Sequence, residues 1–142
     1  MTPERKKELA LMAVNIRMDI LRSTHSAKCG HPGGSLSAAE VMTYLYNEEL
    51  RIDPKDPKCP TRDRFVLSKG HVAPVLYAAL AHRGFFPVEE LTTLRHIGSH
   101  LQGHPNMNAT PGVDMSTGSL GQGISAAAGM AKGAKCCGQA IL

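Results

Sequence analysis

Leu9, Met12, Ala13, Ile16 and Ile20 follow one another at spacings of three and four, which places them on one face of a helix. The stretch opens on Thr2-Pro3-Glu4. That is a capping hydroxyl, a proline suited to the first turn, and an acid at the positive end of the helix dipole. The pattern predicts a helix running to about Ala27, with Gly30 as its stop. Ser37 with Glu40 three residues later has the spacing of a capping box. It predicts a second helix lined by Val41, Met42 and Leu45 that fades before Ile52-Asp53-Pro54.

Pro54, Pro57 and Pro60 mark an irregular surface loop. Phe65-Val66-Leu67 is a short apolar run, entered through Arg62-Asp63-Arg64 and closed by Ser68-Lys69-Gly70. It reads as a buried parallel strand, with the charged residues before it pairing at the surface or anchoring a turn. Val75 to His82 predicts a helix ended by Gly84, and Pro87 opens another that carries Glu89, Glu90, Leu91 and Leu94. From Gly98 to Ser119 periodicity gives way to Gly, Pro, Asn and Thr, a loop long enough to be functional or mobile. Leu120-Gly121-Gln122-Gly123 then leads into a helix of small residues. One strand among so many helices is too little sheet for a finished α/β domain, which implies that further strands belong downstream.

Composition narrows the function classes. The chain has 142 residues, 42% hydrophobic and 4% aromatic, so it can build a core, and the absence of Trp weakens the idea of a stacking platform for bases or sugar rings. A formal charge of +4 favours anionic ligands. The one tight basic cluster, Arg5-Lys6-Lys7, lies in a helix without interleaved aromatics and reads as a solvated face, so no nucleic-acid partner is expected. Cys29, Cys59, Cys136 and Cys137 form no C-x-x-C pair, and free thiols in the cytoplasm account for them. No stretch has the length and apolarity of a membrane span or a signal peptide.

Chemistry concentrates where imidazoles follow glycine. Gly30-His31-Pro32, Gly70-His71 and Gly103-His104-Pro105 each place a histidine between regular elements. Glycine permits a sharp turn and close approach of a ligand, and proline stiffens the histidine before it. Any one of these alone reads as a loop histidine. Three with the same arrangement point to a shared pocket. Ser116-Thr117-Gly118-Ser119-Leu120-Gly121-Gln122-Gly123 ahead of a helix has backbone amides that can receive phosphate oxygens, although a Gly-rich helix start can serve packing alone. It is neither the dinucleotide fingerprint nor a Gly-x-x-x-x-Gly-Lys-Ser/Thr loop. A zinc site is not expected: His96 and His100 have helical spacing, but Gly98 interrupts it, and Cys29 with His31 lacks a second pair.

In register, Gly30 through Ser37, Asp63 through His71, Leu101 through Pro105 and Met115 through Gly123 resemble the amino-terminal part of transketolase. The likeness runs from the first helix to about Lys132 and is closest to the form split into two chains. It implies an α/β class, with residues 1–142 forming a partial, helix-rich section of a thiamine-diphosphate-binding parallel-sheet domain. It also implies transfer of a two-carbon ketol unit from a ketose phosphate to an aldose phosphate. At matching positions, His31 contacts substrate hydroxyls and helps move protons. His71 lies against the cofactor diphosphate near the reacting carbon, and His104 holds the hydroxyl end of the donor. Backbone groups at Gly118 and Leu120 support the cofactor. Neutral imidazoles suit this work because they both donate and accept near pH 7.

The expected cofactors are thiamine diphosphate and Mg²⁺ or Ca²⁺. The expected partners are sugar-phosphate substrates and a carboxyl-terminal transketolase subunit or section, in a homodimer or heterotetramer when complete. Two departures stand out. Cys29 occupies a position where the family often has Ser. In addition, the family's metal-binding Gly-Asp-Gly strand and later Asn are missing from this sequence, which ends Gly133-Ala134-Lys135-Cys136-Cys137-Gly138-Gln139-Ala140-Ile141-Leu142. The metal ligands are therefore expected outside this chain, and weak or absent cofactor binding is expected of it alone. The alternatives are a truncated non-catalytic fragment or assembly subunit, or another thiamine-diphosphate transferase such as a deoxyxylulose-phosphate synthase.

Overall fold

In a computed structural model, residues 1–138 are described, and the last four residues of the carboxyl-terminal stretch lie outside it. Helix α1 spans Pro3–Ala27, and Thr2 caps it by accepting a hydrogen bond from the Arg5 amide at 3.2 Å. Its buried face carries Ala13, Ile16 and Ile20, as the periodicity predicts. The helix ends at Lys28 rather than at the expected glycine: Lys28 takes the left-handed conformation, φ 51°, and its amide bonds the His25 carbonyl.

The predicted capping box does not form. Pro32 instead starts a short helix α2, Pro32–Leu36, and the Ser37 hydroxyl donates back to the Gly34 carbonyl at 2.8 Å. Helix α3, Ala39–Tyr44, follows without a side-chain cap, and Glu40 pairs with Arg17 of α1. Met42 is buried and Leu45 half-buried, whereas Val41 faces solvent. A single π-helical turn, Leu45–Glu49, closes this region.

Helix α4, Ala73–Arg83, is the centre of the molecule: every residue from Ala73 to Ala81 is buried. It is apolar around its whole circumference because α1, α2, α3 and the 3₁₀ segment Val88–Thr93 all pack on it. Gly84 ends it in the left-handed conformation at φ 97°. Helix α5, Gln122–Cys136, begins after Gly121 at φ 82°.

No strand occurs among the described residues, so the expected parallel strand at Phe65–Leu67 is not seen as one. A strand exists only with a ladder partner, and here side chains take that place. Asp114 accepts the Phe65 amide at 2.9 Å, and the Thr117 hydroxyl donates to the Leu67 carbonyl at 2.7 Å. Two of the three charged residues ahead of this segment are also buried rather than superficial, and Arg64 is half-buried. Arg62 is 6% exposed and pairs with Asp114; Asp63 is 1% exposed and pairs with Arg51. The Gly98–Ser119 loop lacks regular structure but is tied down. Tyr77 on α4 donates to the carbonyls of Gln102 and His104, at 2.8 and 3.1 Å.

Candidate functional site

Three loops meet at the amino-terminal end of α4. His31 is the residue before α2, where Pro32 fixes the helix start. His71 lies in the 3₁₀ turn Gly70–Val72 that leads into α4. His104 is held through its own carbonyl by Tyr77. The rings of His31 and His71 are 5.5 Å apart, centroid to centroid, and meet edge-on at 80°. His31, His71 and His104 line one small cleft of about 50 Å³ with Gly30, Pro74, Leu94, Arg95 and Gly103. His31 and His104 are exposed at its mouth and His71 is half-buried.

Glycines make the convergence possible. A Cβ on Gly70 would lie 2.7 Å from the Thr117 carbonyl oxygen and 2.8 Å from the Gly118 nitrogen, so the turn carrying His71 touches the backbone of the Thr117–Gly118 loop directly. A Cβ on Gly34 would come 2.7 Å from Val72 and 3.4 Å from Nε2 of His71. Gly118 lies under the His104 ring, with its Cβ direction 3.7 Å from Cδ2.

The same loop continues into an open groove of about 380 Å³, lined by Met115 to Ser119 with Gln122, Gly123 and Ala126. Its floor is pinned to the segment after Leu67. The Gly121 amide bonds the Ser68 carbonyl at 3.1 Å, and the Ile124 amide bonds the Ser68 hydroxyl at 3.1 Å. The amides of Gly118, Ser119 and Leu120 find no acceptor among the described residues. Small residues and unclaimed amides at a helix start suit a diphosphate, so this chain's residues fit thiamine diphosphate on that side.

Among the described residues no group of three or more His, Cys, Asp or Glu is placed to hold a metal ion. Also among the described residues, no helix is long and apolar enough to cross a membrane, and all four cysteines are free. His96 and His100 do not act as a pair: His100 bonds Glu90 at 2.6 Å and stacks edge-on against Phe86. A larger depression of about 610 Å³ between Arg51 and Arg62 lies apart from the imidazoles, and the guanidinium groups of those two arginines are taken by Asp63 and Asp114.

Two residues of the site are not marked in the sequence. Asp114 holds the Thr117–Gly118 loop by gripping Arg62, Arg64 and the Phe65 amide, a long-range set with no spacing signature. Arg95 enters the cleft from a left-handed backbone position, φ 62°, where glycine is the usual occupant.

The matching family model is transketolase, thiamine diphosphate binding domain, over residues 9–140. A 6-deoxy-6-sulfo-D-fructose transketolase subunit, SqwG, of Clostridium sp. (strain MSTE9) is 52% identical over 128 residues, covering 90% of this chain and 46% of that protein. One of the subunits of an apulose-4-phosphate transketolase from Phocaeicola vulgatus is 43% identical over 127 residues, covering 89% of this chain and 45% of the relative. A Pichia stipitis transketolase solved with sedoheptulose-7-phosphate superposes with a TM-score of 0.81 at 39% identity, over 84% of this chain and 18% of that one. The chain thus spans less than half the length of these relatives.

Proposed function

The chain belongs to the transketolase thiamine-diphosphate-binding domain family, and from that premise we propose that it supplies the diphosphate side and the donor-sugar side of a transketolase-type site. The observation that carries the reading is the junction of the His31–His71–His104 cleft with the groove lined by Met115–Ser119, Gln122 and Gly123, at Gly118 beneath the His104 ring. When bound, thiamine diphosphate supplies the nucleophilic carbon and the electron sink for cleaving a carbon–carbon bond.

The chain's own groups bind and move protons. The unclaimed amides at Gly118 and Leu120 would receive diphosphate oxygens, assisted by the positive end of α5. His71, half-buried between the two loops, would lie against the diphosphate of the bound cofactor. His104 and His31, at the mouth, hydrogen-bond the hydroxyls of the donor, and each imidazole can take or return a hydroxyl proton near neutral pH.

In this reading residues 1–142 are the amino-terminal part of a parallel-sheet domain whose strands and metal ligands lie elsewhere. A carboxyl-terminal transketolase section completes the site in a homodimer or heterotetramer of cytoplasmic location. The names of the two split-type relatives favour a separate partner chain. The substrate is a ketose carrying an anionic terminal group, in keeping with the chain's net charge of +4. The test pairs this chain with a carboxyl-terminal partner and assays ketol transfer across phosphorylated and sulfonated ketose donors. Turnover that requires thiamine diphosphate and both chains is expected. No turnover with any donor, despite a formed complex, assigns the chain to a non-catalytic assembly role instead.

A further inference from the structure

Arg95 comes from neither of the two loops it touches. Its amide bonds the Leu101 carbonyl at 2.9 Å, which holds the residue in its left-handed conformation at the foot of the His104 loop. Its guanidinium lies against Gly103: a Cβ there would fall 2.6 Å from Nη2 and 2.9 Å from Cζ. On its far side Nη1 donates to the Cys29 sulfur at 3.2 Å. Gly103 directly precedes His104, and Cys29 is two residues before His31. One planar side chain therefore spans the turn that delivers one imidazole and the loop that delivers another, and it lines the cleft between them.

We infer that Arg95 is a positioning residue that sets the spacing of His31 and His104, with Cys29 as the acceptor at one end of the link. Among the described residues lining the cleft it is the one permanent cation, and its guanidinium fork is rigid where a lysine would be flexible. A substitution at Gly103 would push the guanidinium off its seat, so the glycine and the arginine work together. Cys29 enters as a hydrogen-bond acceptor alone. A serine hydroxyl, also an acceptor, can replace it, whereas an isosteric apolar group cannot.

The inference deepens the reading above and rests on its cleft, but the test uses the free chain and needs no turnover. The histidine ring resonances of residues 1–142 are compared in wild type, Arg95→Ala, Cys29→Val and Cys29→Ser. Arg95→Ala should shift the His31 ring, 64 positions away in sequence. Cys29→Val should shift the His104 ring, 75 positions away, while Cys29→Ser leaves His104 in place. The His82 ring, bonded to Asp19 at 2.7 Å on the far part of α4, is the internal reference and should not move. If the variants stay folded by circular dichroism with His31 and His104 unmoved, Arg95 positions neither ring and the inference fails. It fails equally if His82 shifts as much as they do, since the effect is then a general loosening. A failed ketol-transfer assay with these shifts intact would refute the functional reading and leave the link standing.

Discussion

Asp114 offers the sharpest test of how the site is held, because one carboxylate fixes the loop that joins cleft to groove. Its side chain is 2% exposed and accepts from Arg62, from Arg64 at 3.1 Å and from the Phe65 amide at 2.9 Å. Removing it in Asp114→Ala leaves the Arg62 guanidinium, 6% exposed, without its counter-charge. Breaking a buried pair from one side costs about 3–5 kcal/mol. Here the lower end applies, for two reasons. Arg62 keeps carbonyl partners at Pro57 and Asp63, at 2.8 and 3.0 Å, and Arg64 is 28% exposed and can turn to water. The expectation is a loss of about 3 kcal/mol, equivalent to roughly 10 °C in Tm for a domain of this size. Urea and thermal unfolding followed by circular dichroism read it. The double variant Arg62→Met/Asp114→Leu removes both charges and should recover more than half of the loss, since well-packed apolar pairs replace buried ion pairs at little cost. A loss below about 1 kcal/mol in Asp114→Ala, the range of exposed ion pairs, would refute the reasoning, as would a double variant no better than the single.

Three further outcomes are expected. Gly70→Ala should destabilise by about 1–3 kcal/mol and weaken thiamine diphosphate binding in the assembled enzyme, because the new methyl meets the Thr117–Gly118 backbone; calorimetric titration checks it. His104→Ala in the assembled enzyme should lower turnover by roughly 10²- to 10⁴-fold while leaving the unfolding midpoint nearly unchanged, as befits an exposed ring; steady-state rates and a melt, taken together, decide it. Burial raises the Tyr77 phenol above its ordinary value of about 10, with Thr110 and Arg95 opposing more weakly, and burial likewise raises Tyr46. The folded state then keeps protons that the unfolded chain releases. Their stabilising contribution is therefore complete below pH 10 and is lost as pH rises above it. Alkaline unfolding curves should show stability falling above that point, with a shallower fall in Tyr77→Phe.

What the sequence made legible follows local physics. Helix α1 and helix α4 could be read because each carries its own pattern and its own ends, Thr2-Pro3 in one case and Gly84 in the other. The three Gly-His positions could be read because a glycine beside a functional group is a local cue, and the structure brings all three rings to one cleft. The Ser37 capping box failed because Pro32 offers an earlier helix start, which turns the hydroxyl back onto Gly34. The strand expected at Phe65–Leu67 finds no ladder partner among the described residues, and Asp114 and Thr117 satisfy its backbone instead. Arg95 and Asp114 carry no such cue: Arg95 reaches Cys29, 66 positions away, and Asp114 reaches Arg62, 52 positions away, and such pairings leave no spacing behind.

The most direct test of the convergence is the nuclear Overhauser contact between the ring protons of His31 and His71 in the folded chain. Rings 5.5 Å apart and edge-on should give a cross peak that survives at neutral pH and disappears on unfolding. A folded sample in which the two rings show contacts only to their own loops would contradict a shared cleft, and with it the proposed site.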